Sequence, residues 1–395
     1  MKTIVYVGNF KILEQNAPGK RVYANSLLLR DMGYKVICLG MEGTDDDYIK
    51  TETELAENVY GYRIAYLNGL RRMNFLGLYR KFTDFMEFVA KSNDVEVVII
   101  YETLANAMWN RLVIKWCKQK RIKVITDSVD WLKIKTNNFL FDLYKNIDTY
   151  YLIKHIQPMS DAIIAITDTM KSKYNNNKVV VIPPLSTEQG SKQIEVNKHF
   201  TMVYAGQPFR IGIKNQIPET FKDRVDIMFD IAYEIYCRNT DFVFKIYGFT
   251  KEEFLYSLPE NLKNKYESIF IKMSANIEFY GKTENAKVKN NIKKADISIL
   301  WRDVKRDTMV GFPTKVSEAV SCGTPVVTND TSDIKKYIVN GKNGFICGRE
   351  DVAETICSLI ENRDRIMEMK KYCSDNNIFH YKNFIEEMKT LVERK

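Results

Sequence analysis

The stretch Gly311-Phe312-Pro313-Thr314-Lys315-Val316-Ser317-Glu318-Ala319-Val320-Ser321-Cys322-Gly323-Thr324-Pro325-Val326-Val327 decides how this chain is read. Ahead of it, Ile297 to Trp301 predicts a strand that runs through a polar loop into Gly311. Pro313 suits the first turn of a helix, where a missing N–H costs nothing, and Gly323 suits a left-handed helix end. Thr324 to Thr328 then predicts the next strand. Backbone N–H groups of Gly311, Phe312 and Thr314 would point outward at the helix start, where positive dipole character favours a phosphate. Lys315 adds a mobile cation, and Glu318 falls about one turn into the helix. A carboxylate so near an anion would repel it, so Glu318 is better suited to accept hydrogen bonds from a sugar hydroxyl. A phosphate seat beside a sugar hook is what a nucleotide-sugar requires.

Working outward, strands alternate with helices in both directions. In the first half the expected strands are Thr3–Val7, Lys35–Leu39, Val95–Tyr101, Lys123–Thr126, Ala162–Ile166 and Val179–Ile182, with helices such as Lys20–Asp31 and Ala105–Gln119 between them. The second half restarts with Thr201–Ala205, Phe242–Tyr247, Ile277–Tyr280, Ile297–Trp301 and Pro325–Thr328. Val225, Met228, Phe229, Ala232, Ile235 and Tyr236 recur at helical spacing between the first two of these. Such alternation argues an α/β fold with parallel sheets covered by helices, and two successive runs argue two domains. The aperiodic polar run after Pro183-Pro184 marks the break. The expected boundaries are residues 1–184 for the first domain, 185–198 for the linker and 199–375 for the second domain. A terminal helix over residues 376–395 is expected to pack back towards the first domain.

At 395 residues, two or three domains is the natural prior. A hydrophobic content of 45% with 28% charged residues is that of a globular protein, which excludes disorder as the default. The seven cysteines are odd in number, widely spaced and without Cys-x-x-Cys, so they read as reduced core residues of a cytoplasmic protein. Three scattered histidines nominate no metal site. Met1 to Gly8 leads straight into a strand, without a charged segment and a long apolar run of signal-peptide type, and no apolar run reaches membrane-span length. The net charge of +9 suits an anionic ligand or a membrane surface and does not by itself argue for nucleic acid.

Several stretches, taken in order, carry a family resemblance. They are Val203-Tyr204-Ala205-Gly206, Lys245-Ile246-Tyr247-Gly248, Ile277-Glu278-Phe279-Tyr280-Gly281, the block from Gly311 to Val327, and Val339-Asn340-Gly341-Lys342-Asn343-Gly344-Phe345. Together they make the chain resemble the retaining glycosyltransferases of the GT-B fold, family 4 in particular (glycosyl transferases group 1). The resemblance implies two Rossmann-like domains facing a central cleft, with the donor held mainly by the second. It implies donor binding at Gly311, Phe312, Pro313, Thr314, Lys315, Gly206 and Gly248. Lys222 and Arg210 look like the family's basic pair beneath the donor diphosphate, and Gly19, Lys20 and Arg21 like its loop over the acceptor and the donor phosphates. Glu318 matches the second of the family's paired glutamates, implying a hold on the nucleotide ribose or on a donor-sugar hydroxyl.

Two positions depart from the family. The first paired glutamate falls on Val310, and the first-domain histidine that meets the donor sugar has no match. Asp127, or Asp130, lies nearest that place and is the candidate catalytic group on the acceptor side. Asp45-Asp46-Asp47 reads as a solvated loop, so no metal and no cofactor are expected; helix dipole and Lys/Arg would neutralise the diphosphate instead. From Arg71 to Lys91, Leu78, Phe82, Phe85 and Val89 read as core. Phe75, Leu76 and Met86 widen that band beside Arg71, Arg72, Arg80 and Lys81, which raises a second reading as an interfacial helix at the inner face of the membrane. The expected partners are a nucleoside diphosphate sugar and a glycan or lipid-linked acceptor, in polysaccharide or glycoconjugate assembly. The rivals are a catalytically silent GT-B subunit that stabilises a partner transferase, and a sugar-nucleotide epimerase.

Overall fold

The computed structural model describes residues 1–12, 16–41, 52–64, 75–101, 106–131, 139–175, 177–188 and 197–393. The chain divides into two compact units. Unit 1 comprises Met1–Thr187 with Met309–Phe312 and Tyr381–Lys395, and unit 2 comprises Glu188–Thr308 with Pro313–His380.

Unit 1 is built on strands β1 (Lys2–Gly8), β2 (Lys35–Met41), β3 (Thr53–Ala56), β4 (Val59–Ile64), β5 (Asp94–Tyr101), β6 (Lys123–Ser128), β7 (Ala162–Ala165) and β8 (Lys178–Val181). They lie in the order β3-β4-β2-β1-β5-β6-β7-β8. Only β3 runs antiparallel, as one arm of a hairpin with β4. Its helices are α1 (Ala17–Asp31), α2 (Phe75–Ala90), α3 (Ala107–Gln119), α4 (Phe139–Tyr151) and α5 (Asp168–Lys171). The central strands are apolar on both faces because helices cover both. Leu78, Phe82 and Phe85 of α2 and Trp109, Val113 and Ile114 of α3 share one core with Val5, Val7, Val98 and Ile100.

Unit 2 has helices α6 (Val225–Tyr236), α7 (Lys251–Ser257), α8 (Glu260–Lys272) and α9 (Asn285–Lys294). The chain then passes through α10 (Arg306–Val310), whose last residues belong to unit 1, and returns with α11 (Thr314–Ser321), α12 (Val352–Glu361) and α13 (Arg363–Asp375). A final helix, α14 (Ile385–Val392), is part of unit 1, where Lys123 donates to the carbonyl of Val392 at 3.1 Å. The unit 2 sheet consists of β9 (Phe200–Ala205), β10 (Phe242–Tyr247), β11 (Ile277–Phe279), β12 (Ile297–Leu300), β13 (Val326–Thr328) and β14 (Gly344–Ile346). It is parallel throughout, in the order β11-β10-β9-β12-β13-β14.

The expected α/β architecture with two successive parallel sheets is therefore present. Three details differ. β3, β4 and β14 were not expected. Helix α11 begins one residue later than read, with Pro313 as its extended N-cap, and ends as read before Gly323 at φ +82°. The cysteines are not all core: Cys38, Cys117, Cys322 and Cys373 are buried, Cys347 and Cys357 are half-buried and Cys237 is exposed. Helix α2 buries Leu78, Phe82, Phe85, Met86 and Val89, as the core reading expects, while Phe75 is half-buried and Leu76 is 59% exposed. Arg71 and Arg72 lie outside the described residues, as do Asp45–Asp47 and most of the 185–198 linker. Among the described residues, no helix is long and apolar enough to cross a membrane.

Candidate functional site

In a parallel sheet all carboxyl ends share one edge, and ligands collect there. In unit 2 that edge is built from glycines. Gly206 follows β9 and Gly248 follows β10, and Gly248 has φ +109°. A Cβ on Gly248 would fall 2.4 Å from the Gly206 carbonyl oxygen, and one on Gly206 would fall 2.3 Å from Lys315 Cε. Only glycine lets the Lys315 stem cross this strand end.

Lys315 does not wave free as the sequence reading had it. Its ammonium pairs with Asp223 Oδ2 at 2.9 Å and lies 5.6 Å from the centre of the Tyr204 ring. The same carboxylate takes Arg302 Nε on Oδ1 at 2.7 Å and the Tyr204 hydroxyl on Oδ2 at 2.8 Å. Burial pushes the Asp223 carboxyl up, but Lys315 and Arg302, with hydrogen bonds from Lys315 and Tyr204, outweigh it and hold the group well below the usual carboxylate range. Burial, then the Asp223 charge, pushes the Tyr204 phenol far above its ordinary value. Asp223 is thus an anion and Tyr204 a neutral donor. One carboxylate against two cations leaves the cluster with an excess positive charge.

The surrounding loops are tied to each other. Beside the Asp223–Arg302 pair, Arg224 bonds Asp303 at 2.7 Å, so adjacent residues of one loop pair in opposite sense with adjacent residues of the next. Lys222 is exposed next to Asp223, and its N–H donates to the Pro208 carbonyl at 2.8 Å. Arg210 is exposed further out, where its N–H donates to Gln216 Oε1 at 3.0 Å. Thr314 opens α11 exposed, and half-buried Glu318 follows Lys315 by three residues, on the same helical face. The first N–H groups of such a helix stand outside its internal ladder.

The sequence reading missed Arg302 and Tyr204, and it passed over Asp223 while choosing Lys222. The available signal was positional: Arg302 stands two residues past the end of β12, at the carboxyl edge. The reading also treated Gly311 and Phe312 as one site with Thr314. They belong instead with Met309–Phe312 in unit 1. There Val310 packs with Ile153, Ile163, Ala165, Met170 and Tyr174, and its carbonyl accepts from the Thr167 hydroxyl at 2.6 Å. The position of the absent first glutamate is therefore an apolar anchor.

In unit 1, Gly19 and Lys20 lie in the first turn of α1, not in a loop before it, because Asn16 caps the helix by accepting from the Gly19 N–H at 2.9 Å. Lys20 is exposed. Arg21 and Asp127 need correction. Their side chains are 4% and 0% exposed and pair at 2.7 Å. Arg21 Nη1 also donates to the carbonyls of Ile182 and Pro183, while the Tyr6 hydroxyl bonds Asp127. A carboxylate at 0% exposure behind an arginine and a tyrosine is closed to an acceptor, which speaks against Asp127 as a base. Among the described residues, no three His, Cys, Asp or Glu side chains converge as a metal-ligand set.

Residues 225–378 match the family described as Glycosyl transferases group 1. No curated protein matches the chain in sequence. Sucrose-phosphate synthase from Thermosynechococcus elongatus is similar in structure, with a TM-score of 0.66 at 12% identity, over 99% of this chain and 98% of that one. A glycosyltransferase from Rickettsia africae gives 0.65 at 16% identity, over 100% and 99%. HepE from Anabaena, solved with UDP-glucose, gives 0.60 at 12% identity, over 99% and 100%. With the fold and the domain match agreeing, the chain is a glycosyltransferase of GT-B fold that carries a glycosyl transferases group 1 domain at residues 225–378.

Proposed function

We propose that the protein moves a sugar from a nucleoside diphosphate sugar to a hydroxyl of a glycan or lipid-linked glycan, with retention at the anomeric carbon and without a metal. The observation that carries this reading is the excess positive charge of Asp223, Lys315 and Arg302 at the start of α11. The UDP-glucose held by the Anabaena protein of the same fold supports a nucleotide-sugar donor. As the bond from anomeric carbon to phosphate breaks, negative charge grows on the diphosphate and positive charge on the ring. Lys315, Lys222 and Arg210, with the Thr314 N–H group at the start of α11, stabilise the first. Glu318 holds the nucleotide ribose or a donor-sugar hydroxyl. With Asp127 withdrawn, the departing phosphate takes the acceptor proton on the same face, which is what retention requires. The reading places the work in the cytoplasm, in polysaccharide or glycoconjugate assembly, with no cofactor and no nucleic acid.

The test is to incubate the purified protein with a panel of nucleotide-sugars, with and without glycan acceptors, and to identify products by mass spectrometry and anomeric proton coupling. An α-linked product from an α-linked donor is expected. A β-linked product would overturn retention. An altered sugar without acceptor would mean an epimerase, and no turnover of any donor would mean a silent subunit.

A further inference from the structure

Helix α4 is mounted the wrong way round for a helix that serves only its own core. Its one buried residue is Thr149. On that inward side, Asp148 accepts from the Ala107 N–H at the start of α3 at 3.2 Å. Phe139, Leu140, Leu143, Tyr144, Ile147, Tyr150 and Tyr151 are all exposed, reaching 76% at Phe139 and Leu140 and 59% at Ile147. Their spacing of 0, 1, 4, 5, 8, 11 and 12 puts them on one arc of about 140° that carries no charge. Scattered exposed apolar residues are ordinary, but a contiguous band of this kind marks a contact surface.

The charges beside the band decide what covers it. Lys145 lies over the Phe141 ring at 4.8 Å, and Lys154 and Lys173 both lie over Trp131, at 5.9 and 5.4 Å. The His155 ring is 5.2 Å from that of Tyr151. Against these stand Asp142 and the inward Asp148. A two-fold pairing with a second copy would set this cationic rim against itself. An anionic lipid surface satisfies both parts, the apolar arc entering the acyl boundary and the lysines meeting headgroups. Tyrosine, with an apolar body and a polar tip, belongs at that depth.

We infer that α4 docks unit 1 on an anionic bilayer surface. The helix follows β6 in the chain, so docking lays the α4 side of unit 1 on the membrane. The value of that arrangement rests on the proposed lipid-linked acceptor, whereas the binding itself does not.

The test uses the full chain and extruded vesicles of phosphatidylcholine, either alone or with about a third phosphatidylglycerol. Wild type should sediment with the anionic vesicles, and salt should weaken the binding. Leu140→Ser/Leu143→Ser/Ile147→Ser should lose at least about tenfold in affinity, and Lys154→Glu/Lys173→Glu about fivefold or more per lysine. The variants alter exposed positions and the half-buried Lys173, and both should keep the wild-type circular dichroism and urea midpoint. Equal recovery of wild type with and without vesicles would overturn the proposal, as would undiminished binding by the folded triple variant. A wild-type dimer in solution that the triple variant converts to monomer would mean that a second copy covers the face. Vesicle binding is read without turnover, so its failure and failure of the transferase reading are separate results.

Discussion

Each unit carries a Tyr-x-Gly at the end of its first strand, and the two sites differ by one cation. In unit 1, Val5-Tyr6-Val7-Gly8 ends β1, and the Tyr6 hydroxyl bonds Asp127, which pairs with Arg21. In unit 2, Val203-Tyr204-Ala205-Gly206 ends β9, and the Tyr204 hydroxyl bonds Asp223, which pairs with Arg302 and with Lys315. Burial and the neighbouring carboxylate push both phenols well above their ordinary value. The first cluster is neutral and sealed; its arginine closes on the carbonyls of Ile182 and Pro183. The second has a charge to spare, and the Lys315 side chain is 20% exposed. The same local design is thus a sealed, neutral tie in one unit and an open cluster with a spare positive charge in the other, which the proposed function uses as its anion seat, and the added cation makes the difference.

The largest effect should come from breaking the neutral cluster. Asp127→Ala leaves Arg21 buried without its partner, which costs about 3–5 kcal/mol. Urea unfolding should show the loss, while turnover per folded molecule stays near wild type. Should the near-isosteric Asp127→Asn keep its stability but lose turnover, Asp127 would be restored as a catalytic group and the comparison would collapse.

Removing charge from the second cluster should do the opposite. Lys315→Ala, Lys222→Ala and Glu318→Ala should each lower turnover about tenfold to a thousandfold, because in the proposed function each removes a contact to the donor or its leaving group. Their folds should be retained, since none of the three side chains is buried. Wild-type turnover by all three well-folded variants would remove the site from unit 2.

A smaller effect follows from the depressed Asp223 carboxyl. In the unfolded chain an aspartate titrates near about pH 4, whereas in the fold Asp223 titrates lower. Its stabilisation is therefore complete above about pH 4 and fades as pH falls below that, where the unfolded state binds the proton first. Asp223→Asn lacks this dependence, so its stability should fall less steeply from about pH 4 downward, by at most about 1.4 kcal/mol per pH unit. Parallel stability curves for the two proteins would show that the pair is not formed as described.

How much of this was legible depended on whether a feature is local. Helix α11, the Gly323 end and β13 were readable because Pro313, Gly323 and the apolar Val326-Val327 act within a few residues. The β3–β4 hairpin was missed because its turn uses Asn58 at φ 60° without the glycine that usually announces one. The charge clusters were missed for another reason. Asp223 and Arg302 are 79 residues apart, and Arg21 and Asp127 are 106 apart, so only the sheet order brings them together. The inverted face of α4 was illegible in principle, since a helical apolar stripe reads as core until its neighbours are known.

The smallest expected effect is the most pointed test of the added cation. A transferase that relies on a metal uses it to neutralise the leaving diphosphate. If Lys315 beside Arg302 supplies that charge, with Lys222 and the N–H groups at the start of α11, a metal has nothing left to do. Turnover should then be unchanged in excess EDTA and insensitive to added Mg²⁺ or Mn²⁺. The assay must begin from protein already dialysed against chelator, so that a tightly held ion is not mistaken for none. Complete loss of activity, restored by Mg²⁺ or Mn²⁺, would mean that the positive excess of the Asp223 cluster is not what balances the diphosphate. Asp45, Asp46 and Asp47 would then be the first residues to replace, and the likeness between the two Tyr-x-Gly sites would carry no functional distinction.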